Sequence, residues 1–234
     1  MKFAGQLIEA RLIKRYKRFL ADVELADGEI MTVHCANTGA MTGCQPVHAR
    51  VWLSHSANPK RKYAYSWELV ELENQALACI NTAMTNRVAA EAIQRGLIKE
   101  LQGYAHCQRE VRYGTEGSRV DFLLSSASQQ CFVEVKHVTL SLQPAVAAFP
   151  DAVTLRGQKH IRELVQQLEQ GNRAVMLFVI MRTGVDQFTV ADTIDADYAG
   201  LLREARGKGV EILAYKTGID QQGIEIIAPV DVNL

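Results

Sequence analysis

The sequence predicts two domains of different texture: a five-stranded β-barrel of the OB type over residues 1–80, then an α/β domain with a mixed sheet over residues 81–234, an α+β or α/β protein as a whole. Three observations carry this. Up to about residue 80, short apolar runs with turn punctuation show almost no helical periodicity. From residue 81, amphipathic helix patterns alternate with apolar strands. A chain of 234 residues is also long for one compact core and comfortable for two.

In the first domain, RFLADVEL turns at Asp27-Gly28 into EIMTVHC, a hairpin signal, because the pair tolerates the left-handed backbone of a tight turn. ARVWLSHS, AYSWELVEL and ALACI follow as strands after Gly- or Pro-containing loops. The two intervening basic stretches, RLIKRYKRF and NPKRKYAY, read as loops. They interleave Arg15, Lys17, Arg18, Lys60, Arg61 and Lys62 with Tyr16, Phe19, Tyr63 and Tyr65, the mixture of cations and ring faces that holds phosphates and stacks bases. Solvated basic loops with no ligand share the same composition, and barrels of this size also bind sugars and proteins.

In the second domain, NTAMTNRVAAEAIQRG has a cap candidate, helical apolar spacing and a closing Gly96. EVRYG, SRVDFLL and CFVEVKHV read as successive strands, TLRGQKHIRELVQQLEQG as a helix, and RAVMLFVI as a strand buried on both faces. DADYAGLLREARGKG reads as another helix, with VEILAYK and GIEIIAP as closing strands. Asp151 or Thr154 is the expected cap of the helix that begins near Leu155.

Acidic and basic side chains balance at 26 each, so nucleic-acid binding has to come from local clustering. Neither a signal peptide nor the ~20 apolar residues of a membrane span is found, which leads us to expect a cytoplasmic protein without a membrane partner. Five scattered cysteines suit free thiols in a reducing compartment. His34, Cys35, Cys44 and His48 are a conceivable zinc set, but their spacing offers only one tight pair, and buried thiols are the simpler reading.

The chemistry concentrates in VDFLLSSASQQCFVEVKHV. On the second strand, Phe132, Glu134, Lys136 and Val138 share a face, so two charges lie among apolar neighbours. Burying such charges costs several kcal/mol each unless they pair or bind something. One reading is an ion pair, Glu134 with Lys136 or Asp121 with Arg119. The other is a metal site, where Asp121 and Glu134 on neighbouring strands relieve their repulsion through a hard divalent ion such as Mg²⁺ or Mn²⁺, with the Val135 carbonyl as a further ligand. Lys136 would then hold the attacking water and offset charge developing on phosphorus. His137 and His160 are candidate proton carriers, although a lone His is more often structural.

Asp121 followed by Glu134-Val135-Lys136 resembles the signature of the PD-(D/E)xK nuclease superfamily, with Val120 where a proline often stands. The resemblance implies Asp121, Glu134 and Lys136 as catalytic residues, Glu91 of the preceding helix as a further metal ligand, and Gln158 or Lys159 of the following helix as polar partners. NTGAMTG, KRKYAYSWELV, NTAMTNR, SRVDFLL, VEVKHVTL and FPDAVTLRGQKHIREL are together similar to the bacterial sugar fermentation stimulation protein (SfsA) family, nearly end to end. That likeness implies an OB-like domain, a nuclease-like domain, binding of DNA without marked sequence preference, and a role in regulating sugar, notably maltose, metabolism. It also draws attention to Arg156, Gln158 and Lys159 as phosphate contacts at a helix start, where a bound anion would offset the crowded positive charge. Cleavage does not follow from it. Three readings remain: a metal-dependent nuclease, a DNA-binding regulator that does not cut, and a sugar or nucleotide sensor, for which no phosphate-binding loop signature is present.

Overall fold

The computed structural model describes residues 1–234. Six strands form the first unit: β1 (Ile8–Tyr16), β2 (Leu20–Leu25), β3 (Ile30–Cys35), β4 (Arg50–His55), β5 (Tyr65–Glu71) and β6 (Leu77–Cys79). They are ordered β3-β2-β1-β4-β5-β6, and a parallel pairing of β3 with β5 closes β1 to β5 into a five-stranded barrel. The β2–β3 turn follows its sequence: Gly28 takes φ 87°, and Asp27 accepts the Glu29 N–H at 3.0 Å. Inside lie Leu12, Val23, Val33, Leu53 and Trp67.

The barrel has five strands as expected, but one of them is different. RLIKRY is not a loop but most of β1, with Ala10 and Leu12 buried between exposed neighbours. A bulge between Leu12 and Lys14 breaks the alternation, so the basic side chains hide a two-residue period. ALACI supplies β6, a short strand added beside the closed barrel.

The second unit opens with α1 (Ala83–Gln94), followed by β7 (His106–Tyr113), β8 (Ser118–Ser125), β9 (Gln130–Val138), β10 (Leu140–Gln143) and β11 (Ala145–Phe149). After these come α2 (Leu155–Glu169), β12 (Arg173–Ile180), β13 (Val185–Val190), α3 (Ala196–Lys208), β14 (Glu211–Ile219), β15 (Ile224–Pro229) and β16 (Asp231–Asn233). The main sheet runs β15-β14-β12-β9-β8-β7, with β12 parallel to β9 and β14 and the outer pairs antiparallel. The apolar strand RAVMLFVI is central, buried at every position after Arg173. A second sheet, β10-β11-β13-β16, was not visible in the sequence, because its strands are short and carry Gln, Ser and Asp among the hydrophobes.

Helix α1 covers one face of the main sheet, with Met84, Val88, Ala89 and Ala92 against Val133, Val135 and Leu177. Leu7, Trp52 and Leu69 of the barrel join that same cluster, so the two units share a core. Helices α2 and α3 cover the other face. They cross closely at Gly157, where an added Cβ would lie 2.8 Å from Thr154 Cγ2 and 2.9 Å from Tyr198 Cε2. Backbone bonds from Cys79 N–H to Met181 and from Thr183 N–H to Leu77 join the units further. Four of the five cysteines are buried and all are free thiols. No helix is long and apolar enough to cross a membrane.

Candidate functional site

Strands β8 and β9 are paired from Phe122–Val133 to Ser125–Gln130. Beyond Phe122, the Asp121 side chain takes the place of the ladder: its Oδ2 accepts the Val135 N–H at 2.7 Å. Its Oδ1 accepts from Asn86 Nδ2 on α1 at 2.6 Å. Glu134 points to the α2 side of the sheet, as the alternation requires, and its Oε1 lies 2.9 Å from Lys136 Nζ. The same oxygen meets His160 Nδ1 from α2. Arg156 Nε donates to His160 Nε2 at 3.4 Å, and Lys136 Nζ also lies 3.0 Å from His160 Nδ1, so Glu134, Lys136 and His160 form one cluster. Glu134 Oε2 is buried and has no partner.

Asp121, Glu134, Lys136, His137, Arg156 and His160 all line one cavity of about 490 Å³. The first turns of two helices also line it, through Thr82, Ala83, Thr85 and Asn86 at α1 and Thr154, Arg156 and Gly157 at α2. Thr154 caps α2 by accepting the Gly157 N–H at 3.0 Å, whereas the side chain of Thr82 makes no cap bond to α1. Two helix N-termini aimed at one cavity, with Arg109 and Arg156 on its rim, make it attractive to anions.

Burial raises the Asp121 pKa to about 6, and the neighbouring charge of Glu134 adds to the rise, while the Val135 N–H and Asn86 oppose it. Glu134 is deeply buried too, yet Lys136 and His160 outweigh that penalty and hold its pKa below the usual value. The two carboxylates thus share one field and are driven apart in acidity. His137 is lowered to about 4 by burial, so its ring is neutral at ordinary pH. Its Nδ1 lies 2.7 Å from Thr85 Oγ1, and Nε2 has no partner.

Of the residues singled out in the sequence, Asp121, Glu134, Lys136, His137, Arg156 and His160 meet here. Glu91 does not: it sits on the far part of α1, bonded to the Met1 amine and Arg95. Gln158 turns into the protein, where its Nε2 donates to Asp195 at 3.1 Å. Lys159 reaches the carbonyl of Glu116. Arg15 is turned inward, and one of its terminal nitrogens donates to the carbonyls of Arg18, Asn37 and Gly39 at 2.7 to 2.9 Å. Lys17 and Arg18 form the exposed β1–β2 turn at φ 49° and 64°. Lys60 and Lys62 are exposed in the β4–β5 loop, where Arg61 donates to Ser66 Oγ at 2.9 Å, and none of the three lines the cavity. Asp151 does not cap α2 but accepts the Met41 N–H at 3.0 Å, tying a barrel loop to the second unit. Of the ion pairs considered, Glu134–Lys136 forms, whereas Arg119 is exposed and makes no bridge to Asp121.

Sequence reasoning missed Asn86, Thr85, Arg109 and Glu110, all of which line the cavity. Asn86 and Thr85 lie within the NTAMTNR stretch at the start of α1, where helix starts bearing unexplained polar side chains are the available signal. Glu110 leaves none, because its place on the rim follows from a left-handed residue inside β7 at φ 54°.

Comparison with known proteins agrees with this architecture. The model of the SfsA N-terminal OB domain matches residues 13–80, and that of the sugar fermentation stimulation protein RE domain matches residues 83–223. A sugar fermentation stimulation protein homolog from Marinomonas sp. (strain MWYL1) is 51% identical over 233 residues, covering 99% of this chain and 90% of that protein. The homolog from Shewanella frigidimarina (strain NCIMB 400) is 50% identical over 235 residues, covering both chains in full at 100%. Among solved structures, Pyrococcus furiosus SfsA in complex with Ca²⁺ superposes with a TM-score of 0.88 at 27% identity, covering 100% of this chain and 98% of that one. With both domains matched in order and close relatives matched over nearly their whole length, the chain belongs to the sugar fermentation stimulation protein (SfsA) family.

Proposed function

We propose that this protein binds nucleic acid, most readily DNA, and hydrolyses its phosphodiester bonds with Asp121 and Glu134 holding one divalent cation, Mg²⁺ or Mn²⁺. The observation that carries this reading is the meeting of the two acids in one cavity with the Lys136 amine beside them. The donor set suits a hard cation: both acids offer oxygen, Glu134 Oε2 is buried without a partner, and Asp121 is held at a raised pKa that a cation would relieve. The Pyrococcus furiosus relative, solved in complex with Ca²⁺, supports a divalent ion of this kind.

A bound ion would supply polarisation of a phosphate oxygen and a water of lowered pKa. The remaining work falls to the chain itself. Lys136, on the same face as Glu134, offsets negative charge near the reacting phosphorus. The N-termini of α1 and α2, with Arg109 and Arg156, draw and orient the phosphates on either side. Asn86 and the Val135 N–H fix the Asp121 carboxylate, and His160 fixes that of Glu134.

The test is incubation of the purified protein with labelled single- and double-stranded DNA and RNA, in Mg²⁺, Mn²⁺ or EDTA, beside Glu134→Gln. Cut product that needs metal and is lost in the variant is the expected result. No product in any metal refutes hydrolysis.

A second reading has its own support: without any metal, every oxygen of the two acids except Glu134 Oε2 already has a protein partner. A protein that grips DNA without cutting, and so regulates sugar metabolism as the family name suggests, would retain such a closed network. It predicts binding that is indifferent to EDTA, with no product.

A further inference from the structure

The cavity at Asp121 continues into a second one of about 240 Å³ between the units, and Thr82, His137 and Phe149 line both. The far wall of the second is the barrel segment Asn37 to Gly39. That segment is fixed on three sides. Arg15 donates to the carbonyls of Asn37 and Gly39. Asp151 accepts the neighbouring Met41 N–H at 3.0 Å, and Thr82 donates through its hydroxyl to Ala36 at 2.9 Å. The same Arg15 nitrogen donates to Arg18, and Phe19 accepts the Cys35 N–H at 2.8 Å, so the β1–β2 turn is joined to the lip of the cleft. On that turn stand the exposed Lys17 and Arg18, with Phe19, a residue 47% exposed, beside them.

We propose that the ligand is single-stranded polynucleotide, lying from the β1–β2 turn, where Phe19 stacks a base and Lys17 and Arg18 hold its backbone, past Asn37 to Gly39 and into the cavity at Asp121. This rests on the proposed nucleic-acid reading of that cavity and adds the form of the substrate and its path. The 490 Å³ cavity is in the size range of small-ligand sites, and with the 240 Å³ one beside it suits one or two nucleotides of one strand. A duplex, whose major groove alone is about 12 Å wide, would present only one backbone edge to them, not its bases. A half-exposed aromatic flanked by two cations is the arrangement that single-strand binders use, because every base has a π-face. Phe149, lining both cavities, offers a second ring inside the cleft.

The test is fluorescence anisotropy of a labelled single-stranded oligodeoxynucleotide and its duplex, in EDTA, with the full chain and with Phe19→Ala. The single strand is expected to bind at least tenfold more tightly than the duplex, and Phe19→Ala to cost about tenfold for the single strand alone, with unchanged thermal melting. Lys17→Gln/Arg18→Gln is expected to flatten the salt dependence. A 5-iodouracil strand is expected to cross-link at Phe19 or Phe149. Equal affinity for duplex, or a single-strand affinity untouched by Phe19→Ala with cross-links elsewhere, overturns the path. Because binding is read without metal, absence of cleavage refutes hydrolysis and leaves this inference standing.

Discussion

The carboxylate of Asp121 accepts the backbone N–H of Val135, the residue between Glu134 and Lys136, at 2.7 Å. One side chain thus replaces a missing rung between two strands and sets the spacing of the whole acidic cluster. Everything proposed for the cavity follows from how these few groups answer to protons, metals and substitution.

Asp121 is the group to watch as pH changes. Its pKa is raised on folding to about 6 from an ordinary value near 4, so the folded state binds the extra proton between these two pH values. Stability from this group is full below pH ~4, falls as pH rises through ~6, and is level above. Asp121→Asn keeps the Val135 bond and lets Asn86 flip its amide. The metal-free variant should therefore be more stable than the parent at pH 8, by about 3 kcal/mol, and equal to it near pH 4. Thermal melting at the two pH values reads the difference, and a constant gap would contradict the account.

Glu134 and Lys136 are both buried, so removing one strands the other. Lys136→Met should cost about 3 kcal/mol, because Glu134 then keeps only His160. Adding Glu134→Gln to it should recover most of that loss, since no uncompensated charge remains. Chemical denaturation of the two single variants and the double checks this. A double variant as unstable as the sum of the singles would show the pair uncoupled.

Asp195 accepts from Tyr198 N–H and Thr154 N–H, at 2.9 and 2.8 Å, and from Gln158. Gln158→Ala should therefore lower the melting temperature, with a loss of about 1 to 2 kcal/mol, and leave the salt dependence of nucleic-acid binding unchanged. A reduced salt slope with intact stability would restore Gln158 to the phosphate role its position suggested.

Gly157→Ala should be disproportionately costly, about 1 to 3 kcal/mol, because the new Cβ meets Thr154 and Tyr198 and pushes α2 off α3. His160 rides on α2, so its hold on Glu134 should loosen as well. A melting curve unchanged from the parent would show that the two helices have room to spare.

The parts of this molecule that were legible in its sequence are those with a regular period. Strand alternation put Glu134 and Lys136 on one face, and the unbroken apolar run of RAVMLFVI marked the sheet centre. Asp27-Gly28 marked the first hairpin. What escaped lacks such a period. The bulge in β1 disguised a strand as a basic loop. Helix phase decided which side chains of α1 and α2 face the cavity, and it favoured Asn86 over Glu91 and His160 over Gln158 and Lys159. Of the two cap candidates, Thr154 takes the role, while Asp151 bonds Met41, 110 residues away.

The central claim is that Asp121 and Glu134 share one ion, and anomalous diffraction from crystals soaked in Mn²⁺ tests it most directly. The account predicts a single peak within coordination reach of both carboxylates, with Glu134 Oε2 turned to it. A cavity without a peak, with Glu134 still clasped by Lys136 and His160, would contradict it.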